Sequence, residues 1–198
     1  MSRIKVVTIG RHYCAGGSSI GRLTADILGV KCYDREIVEM ASEKSGIPME
    51  DINLYEEAAL NAFKSPINIF GKEKSMALTE RIFAAETEII YEITSKEDCV
   101  IVGRCADFVL KNKVKTLDAF IYASQEKRMD VALKRLELDY EETEQRLKKY
   151  DKKRAYFYNT NTNKKWGEMS SYDICLDSGK MGYQACAEIL AGIVKASK

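Results

Sequence analysis

The segment Gly10-Arg11-His12-Tyr13-Cys14-Ala15-Gly16-Gly17-Ser18-Ser19-Ile20-Gly21 holds the residue types that handle polyphosphate. The β-branched run Val6 to Ile9 leads into it and an apolar helical stripe leads out. A chain laid out this way can wrap backbone N–H groups round an anion and then present a helix N-terminus to it. The usual pattern, G-x-x-x-x-G-K-[ST], adds a lysine for the β- and γ-phosphates and a hydroxyl for Mg²⁺. Gly16 fits the second glycine and Ser18 the hydroxyl, but Gly17 stands where the lysine would be and Arg11 where the first glycine would be. Read alone, the segment suits either a nucleotide loop or a plain strand-to-helix turn.

Further groups of the same chemistry recur after other apolar runs. Gly103-Arg104-Cys105-Ala106-Asp107 follows Val100 to Val102, Asp34-Arg35-Glu36 follows Val30 to Tyr33, and Ser124 to Arg128 follows Leu117 to Ala123. Arginine suits phosphate because its planar fork donates two parallel hydrogen bonds. Arg104 reads as a phosphate ligand or as a surface salt bridge. Arg128, Arg135, Arg146 and Arg154 lie in charged helical stretches, where a solvated face is the simpler account. Asp151 and Arg154, spaced i, i+3, share a helix face and either pair with each other or face a nucleoside together.

The elements that must position these residues alternate. Strands are expected at Val6 to Ile9, Val30 to Tyr33, Asp98 to Gly103, Leu117 to Ala123 and Tyr172 to Leu176. Helices are expected over Ser18 to Leu28, from an Asp34 cap to Gly46, and over Thr79 to Thr94, Gln125 to Leu136, Glu141 to Tyr158 and Met181 to Ala196. Such alternation predicts an α/β fold, a parallel sheet covered on both faces with ligands at the carboxyl ends of its strands. Residues 47–76 hold both prolines and little periodicity, so an inserted, more mobile subregion is expected there.

At 198 residues the chain suits a single domain, and a net charge of +1 provides no global field toward nucleic acid or membrane. No apolar stretch reaches bilayer length and no secretory leader is evident, so a cytoplasmic location is the default expectation. Six scattered cysteines and a lone histidine, His12, lack zinc spacing and read as reduced thiols.

These residues together resemble the cytidylate-kinase-like family, a branch of the nucleoside monophosphate kinases. Its loop typically reads S-R-E-Y-G-S-G-G-R-E-I-G, matched at Arg11, Tyr13, Gly16, Gly17, Ile20 and Gly21. Tyr33-Asp34, Val100 to Asp107, Phe120 to Arg128, Asp151 to Tyr158, Trp166-Gly167 and Tyr172 to Leu176 match further family segments. Cys14, Ser18-Ser19 and Tyr122 depart from the patterns of the family or of true cytidylate kinases.

The resemblance implies a three-layer fold with a five-stranded parallel sheet in one domain, a monophosphate-binding subregion near 47–78 and a lid near 128–165. It implies ATP and Mg²⁺, with Tyr13, Cys14, Ala15, Gly16, Gly17, Ser18 and Ser19 on the nucleotide and Ser18 on the metal. Asp34, Arg104, Asp107, Asp151 and Arg154 are implied on the acceptor, and Arg11, Arg128, Arg135 and Arg154 on the transferring phosphoryl group. Arg11 is then the candidate to replace the lysine's charge. The expected activity is phosphoryl transfer to a nucleoside monophosphate such as CMP or dCMP. The alternatives are a nucleotide-binding regulatory homologue with little turnover and a kinase for another phosphorylated metabolite. A small-molecule substrate is the expected partner, with neither nucleic acid nor membrane.

Overall fold

The computed structural model describes residues 3–52 and 72–197. Five parallel strands, β1 (Val6–Arg11), β2 (Lys31–Tyr33), β3 (Cys99–Val102), β4 (Thr116–Tyr122) and β5 (Ile174–Asp177), form one sheet in the order β2-β3-β1-β4-β5. Their sequences are near-continuous apolar runs because both faces are covered. Side chains alternate between two cores. Val7, Ile9, Val100, Val102, Ala119 and Ile121 face one. Val6, Cys99 and Ile101 face the other.

The first core is closed by helices α1 (Gly17–Leu28) and α8 (Tyr183–Ala196), through Ile20, Ala25, Ala187 and Leu190. The second is closed by α2 (Glu36–Ser45), α3 (Lys72–Lys96) and the short α4 (Ala106–Val109), through Ile37, Ala41, Ile89, Ile90 and Val109. Each fully buried aliphatic side chain contributes about 1.5–3 kcal/mol. Two further helices, α5 (Gln125–Leu136) and α6 (Tyr140–Thr162), lie beyond the carboxyl end of β4.

Several boundaries differ from expectation. Asp34 does not cap α2; Arg35 occupies that position, and the Asp34 carboxylate is taken by Ser18 and Arg11 instead. Helix α3 begins at Lys72 rather than Thr79, through residues of good helix propensity but weak apolar period. The helix expected over Met181 to Ala196 is two, α7 (Ser178–Met181) and α8, because Gly182 at φ 80°, ψ 161° leaves helical space. The subregion expected near 47–78 falls largely on residues 53–71, outside the described residues.

Candidate active site

Helix α1 opens on Gly16 in the left-handed region (φ 79°), whose lack of a side chain means that the N-cap residue itself does not take the N–H groups of the first turn. That is the arrangement an anion requires. The loop before it is pinned from several sides. The His12 N–H bonds Ile121 O at 3.0 Å, and the Ser178 hydroxyl bonds Ala15 O at 2.7 Å. The His12 ring packs edge-on against Phe120 and Trp166, and burial pushes its pKa down, so it adds no cation at neutral pH.

The place of the missing lysine is filled. A Cβ on Gly17 would lie 2.6 Å from Cβ and Cγ of Arg11, and one on Gly103 would lie 2.1 Å from Arg11 Nη1. The Arg11 stem therefore lies over the start of α1 and its guanidinium reaches the end of β3. Only residues without side chains at 17 and 103 let it pass. Its Nη2 sits 3.3 Å from Asp34 Oδ1, while Ser18 Oγ donates to Asp34 Oδ2 at 2.6 Å. Ser18 and Asp34 thus set hydroxyl and carboxylate oxygens side by side, a donor set suited to a hard cation such as Mg²⁺, which takes few protein ligands when phosphates complete its shell. Among the described residues no group of three or more His, Cys, Asp or Glu side chains gathers as a fuller metal site.

Next to this loop lies a cavity of about 230 Å³, lined from β1 by Thr8 to Arg11, from the β3 end by Gly103 to Cys105 and Asp107, and from α6 by Tyr150, Lys153, Arg154 and Tyr156 to Tyr158. Three consecutive left-handed residues, Gly103 (φ 83°), Arg104 (φ 55°) and Cys105 (φ 54°), turn the chain sharply out of β3. For Arg104 and Cys105 that backbone costs about 1–2 kcal/mol each, strain of the kind that collects at ligand sites. Arg104 Nη1 meets Glu86 Oε1 at 2.9 Å, and its guanidinium stands 5.8 Å from the Phe157 ring centre. Glu86 is fully buried on α3 while Arg104 is partly exposed, so truncating Arg104 would remove an ion-pair partner from a buried carboxylate.

Of the expected site residues, Arg11, Arg104, Arg154 and Asp107 line this one cavity. Asp151 lies elsewhere. Its Oδ1 accepts the Tyr13 N–H at 2.7 Å and its Oδ2 pairs with Arg128. Arg154 donates from Nη1 to Arg11 O at 3.0 Å and stacks 5.5 Å from the Tyr13 ring, which itself stacks on Tyr150 at 4.4 Å. Both side chains of the Asp151/Arg154 pair also bond the loop backbone, and Arg154 lines the cavity as well. Arg135 is exposed on α5, and with Arg154 and Arg128 it draws the Cys14 thiol pKa down, yet burial outweighs them and the thiol stays raised. Cys14 is therefore not a reactive thiolate.

Sequence reasoning missed Glu86, Tyr158, Trp166 and Tyr172 as residues of this region. Tyr150, Arg154 and Phe157 to Tyr158 stand at i, i+4, i+7 and i+8, one face of α6. That aromatic period inside a charged stretch was the available signal.

A parallel sheet ordered 2-3-1-4-5, a phosphate-type loop after its central strand and arginines at the adjacent strand end define a P-loop kinase-like protein. The sequence profile of the cytidylate kinase-like family matches residues 6–180, and the chain belongs to that family. Among solved structures, an uncharacterized protein from Eubacterium ventriosum superposes with TM-score 0.71 at 22% identity, covering 96% of this chain and 98% of that one. Shikimate kinase from Acinetobacter baumannii, in complex with shikimate, follows at TM-score 0.54 and 18% identity, over 98% and 95%. Shikimate kinase from Bacteroides thetaiotaomicron gives 0.58 and 11%, over 98% and 99%. These likenesses establish the fold. No curated protein sequence matches significantly.

Proposed function

We propose that the chain transfers the γ-phosphoryl group of ATP to a nucleoside monophosphate, with CMP or dCMP the favoured acceptor. The observation that carries this reading is Arg11, whose side chain runs from the loop glycine Gly17 to Gly103 and lines the cavity shared with Arg104 and Arg154. The cavity of about 230 Å³ adjoins the loop, so an acceptor phosphate held by its arginines stands next to a triphosphate held by the loop.

In the transfer, an oxygen of the acceptor phosphate attacks the γ-phosphorus in line, the bond from γ-phosphorus to the β–γ bridging oxygen breaks, and ADP and a nucleoside diphosphate leave. The loop and first-turn N–H groups of α1 hold the donor phosphates, Arg104 and Arg154 orient the acceptor phosphate, and Arg11 bridges the two. Catalysis of this kind rests on positioning and charge neutralisation, with no covalent intermediate. Ser18 and Asp34 would hold Mg²⁺, which would supply charge neutralisation to the donor phosphates.

A coupled assay for ADP, run across nucleoside monophosphates, tests the reading. Release of ADP that depends on CMP or dCMP is expected; none with any monophosphate at high enzyme concentration would refute it. A second reading, a nucleotide-binding homologue with little turnover, draws on Asp151, whose carboxylate occupies the Tyr13 N–H of the loop. Calorimetric ATP affinity without ADP release would favour that alternative.

A further inference from the structure

The phosphate loop is held from outside as well as by its own turn. The peptide groups on both sides of Tyr13 are bracketed. The Tyr13 N–H donates to Asp151 Oδ1 at 2.7 Å, and the Tyr13 carbonyl accepts from Arg128 Nη1 at 3.4 Å. Arg128 and Asp151 close the bracket by pairing with each other, their side chains only 13% and 18% exposed. Tyr13 and Cys14 also pack against Met129, Ala132 and Leu147, the small core between α5 and α6. Neither Arg128 nor Asp151 is among the described residues that line the cavity. Both reach the loop instead.

What the bracket holds is the residue that follows it. Cys14 sits at φ 59°, in the left-handed region, and a residue with a Cβ keeps that backbone only where its surroundings impose it. Ala15 and Gly16 come next and lead into the first turn of α1, so the conformation at Cys14 sets where the loop's N–H groups point. The bonds of Asp151 and Arg128 to the Tyr13 peptides are charge-assisted, the strong kind, and the carboxylate also anchors the arginine. Without the carboxylate Cys14 is free to relax toward negative φ, and a bound triphosphate must rebuild the loop at a cost in affinity. Glycine populates the left-handed region unaided, so a loop with glycine at position 14 depends less on the bracket.

We propose that Asp151, anchored by Arg128, is a positioning residue for the donor triphosphate, bracketing the Tyr13 peptides so that Cys14 keeps the left-handed conformation on which the loop's shape depends. The proposal rests on the loop's binding a nucleoside triphosphate. Helix α6 then serves both substrates: Arg154 lines the acceptor cavity, and Asp151 sets the donor loop.

The test is calorimetric affinity for the non-hydrolysable ATP analogue AMP-PNP with Mg²⁺, which reads the loop without turnover, beside affinity for CMP, which reads the cavity. Wild type, Asp151→Ala, Cys14→Gly and the double variant are compared. Asp151→Ala is expected to weaken AMP-PNP about tenfold or more and to leave CMP within about twofold. In the Cys14→Gly background the same substitution is expected to cost no more than about threefold, a non-additivity that general destabilisation does not produce. Asp151→Asn keeps an oxygen for the Tyr13 N–H but gives up the charge that holds Arg128. It is expected to fall between wild type and Asp151→Ala, and it carries the test if the alanine variant does not fold. An equal loss in both backgrounds would overturn the proposal. So would loss of CMP affinity with AMP-PNP retained, which would make Asp151 an acceptor ligand. Tighter AMP-PNP binding in Asp151→Ala would overturn it as well, marking the carboxylate as a competitor of the triphosphate. Wild type that binds AMP-PNP yet releases no ADP with any monophosphate would refute the kinase reading and leave the bracket standing, whereas wild type that does not bind AMP-PNP would overturn both.

Discussion

At the scale of single residues, the polar side chains over the sheet set a pH dependence. Burial pushes the Asp118 carboxyl up to about 6, against which the Thr8 hydrogen bond acts only in part. The folded value lies above the unfolded value near 4, so the protonated form is favoured by folding. Asp118 therefore contributes most stability below pH 4, and that contribution is lost as pH rises from about 4 to about 6. Asp118→Asn keeps an oxygen for Thr8 and removes the ionisation. Urea titrations at pH 4 and pH 7.5 are expected to show the variant more stable than wild type by up to about 2 kcal/mol at the higher pH, with little difference at the lower. Equal stability at both values would contradict the account. None of this was legible in the sequence, where Asp118 is one acid inside a strand. Its role follows from register, since only the pairing of β1 with β4 sets Thr8 opposite it. Arg104 and Arg11 were legible, because glycine and arginine fell together after apolar runs.

At the scale of elements, the strand-to-helix turn of β1 and α1 depends on what surrounds its glycines. Gly16 sits at φ 79°, and a Cβ there would meet the Tyr183 ring at 2.3 Å. Tyr183 opens α8, so the loop is set against a second helix rather than left to close alone. Gly16→Ala forces either the loop or α8 to move. A loss of ATP affinity of about tenfold or more is expected by calorimetry, with a melting temperature lower by several degrees. Unchanged affinity would mean that the loop does not hold the triphosphate. The turn, the strands and most helices were legible because apolar period and glycine position carry them. The clasp of α6 on the loop was not. A polar helix reads as solvated, and nothing in a one-dimensional pattern says that Asp151 reaches Tyr13 across 138 residues.

At the scale of the whole molecule, a chain of net charge +1 brings Arg11, Arg104 and Arg154 to one cavity where three elements converge. The order β2-β3-β1-β4-β5 puts the ends of β1 and β3 side by side, and α6 lays Arg154 across them. The attraction that these arginines exert on a phosphate is thereby local, independent of any overall field. Fold class and strand count followed from alternation alone, but strand order did not, and order is what brings Arg11 to Gly103. On the proposed reading, Arg11 supplies the charge that Gly17 cannot. The decisive measurement of that role is kcat/KM for the ATP- and CMP-dependent reaction in Arg11→Ala. A fall of about a thousandfold or more is predicted, as for arginines that act on a transferring phosphoryl group. Unchanged turnover and unchanged ATP affinity in that variant would contradict it.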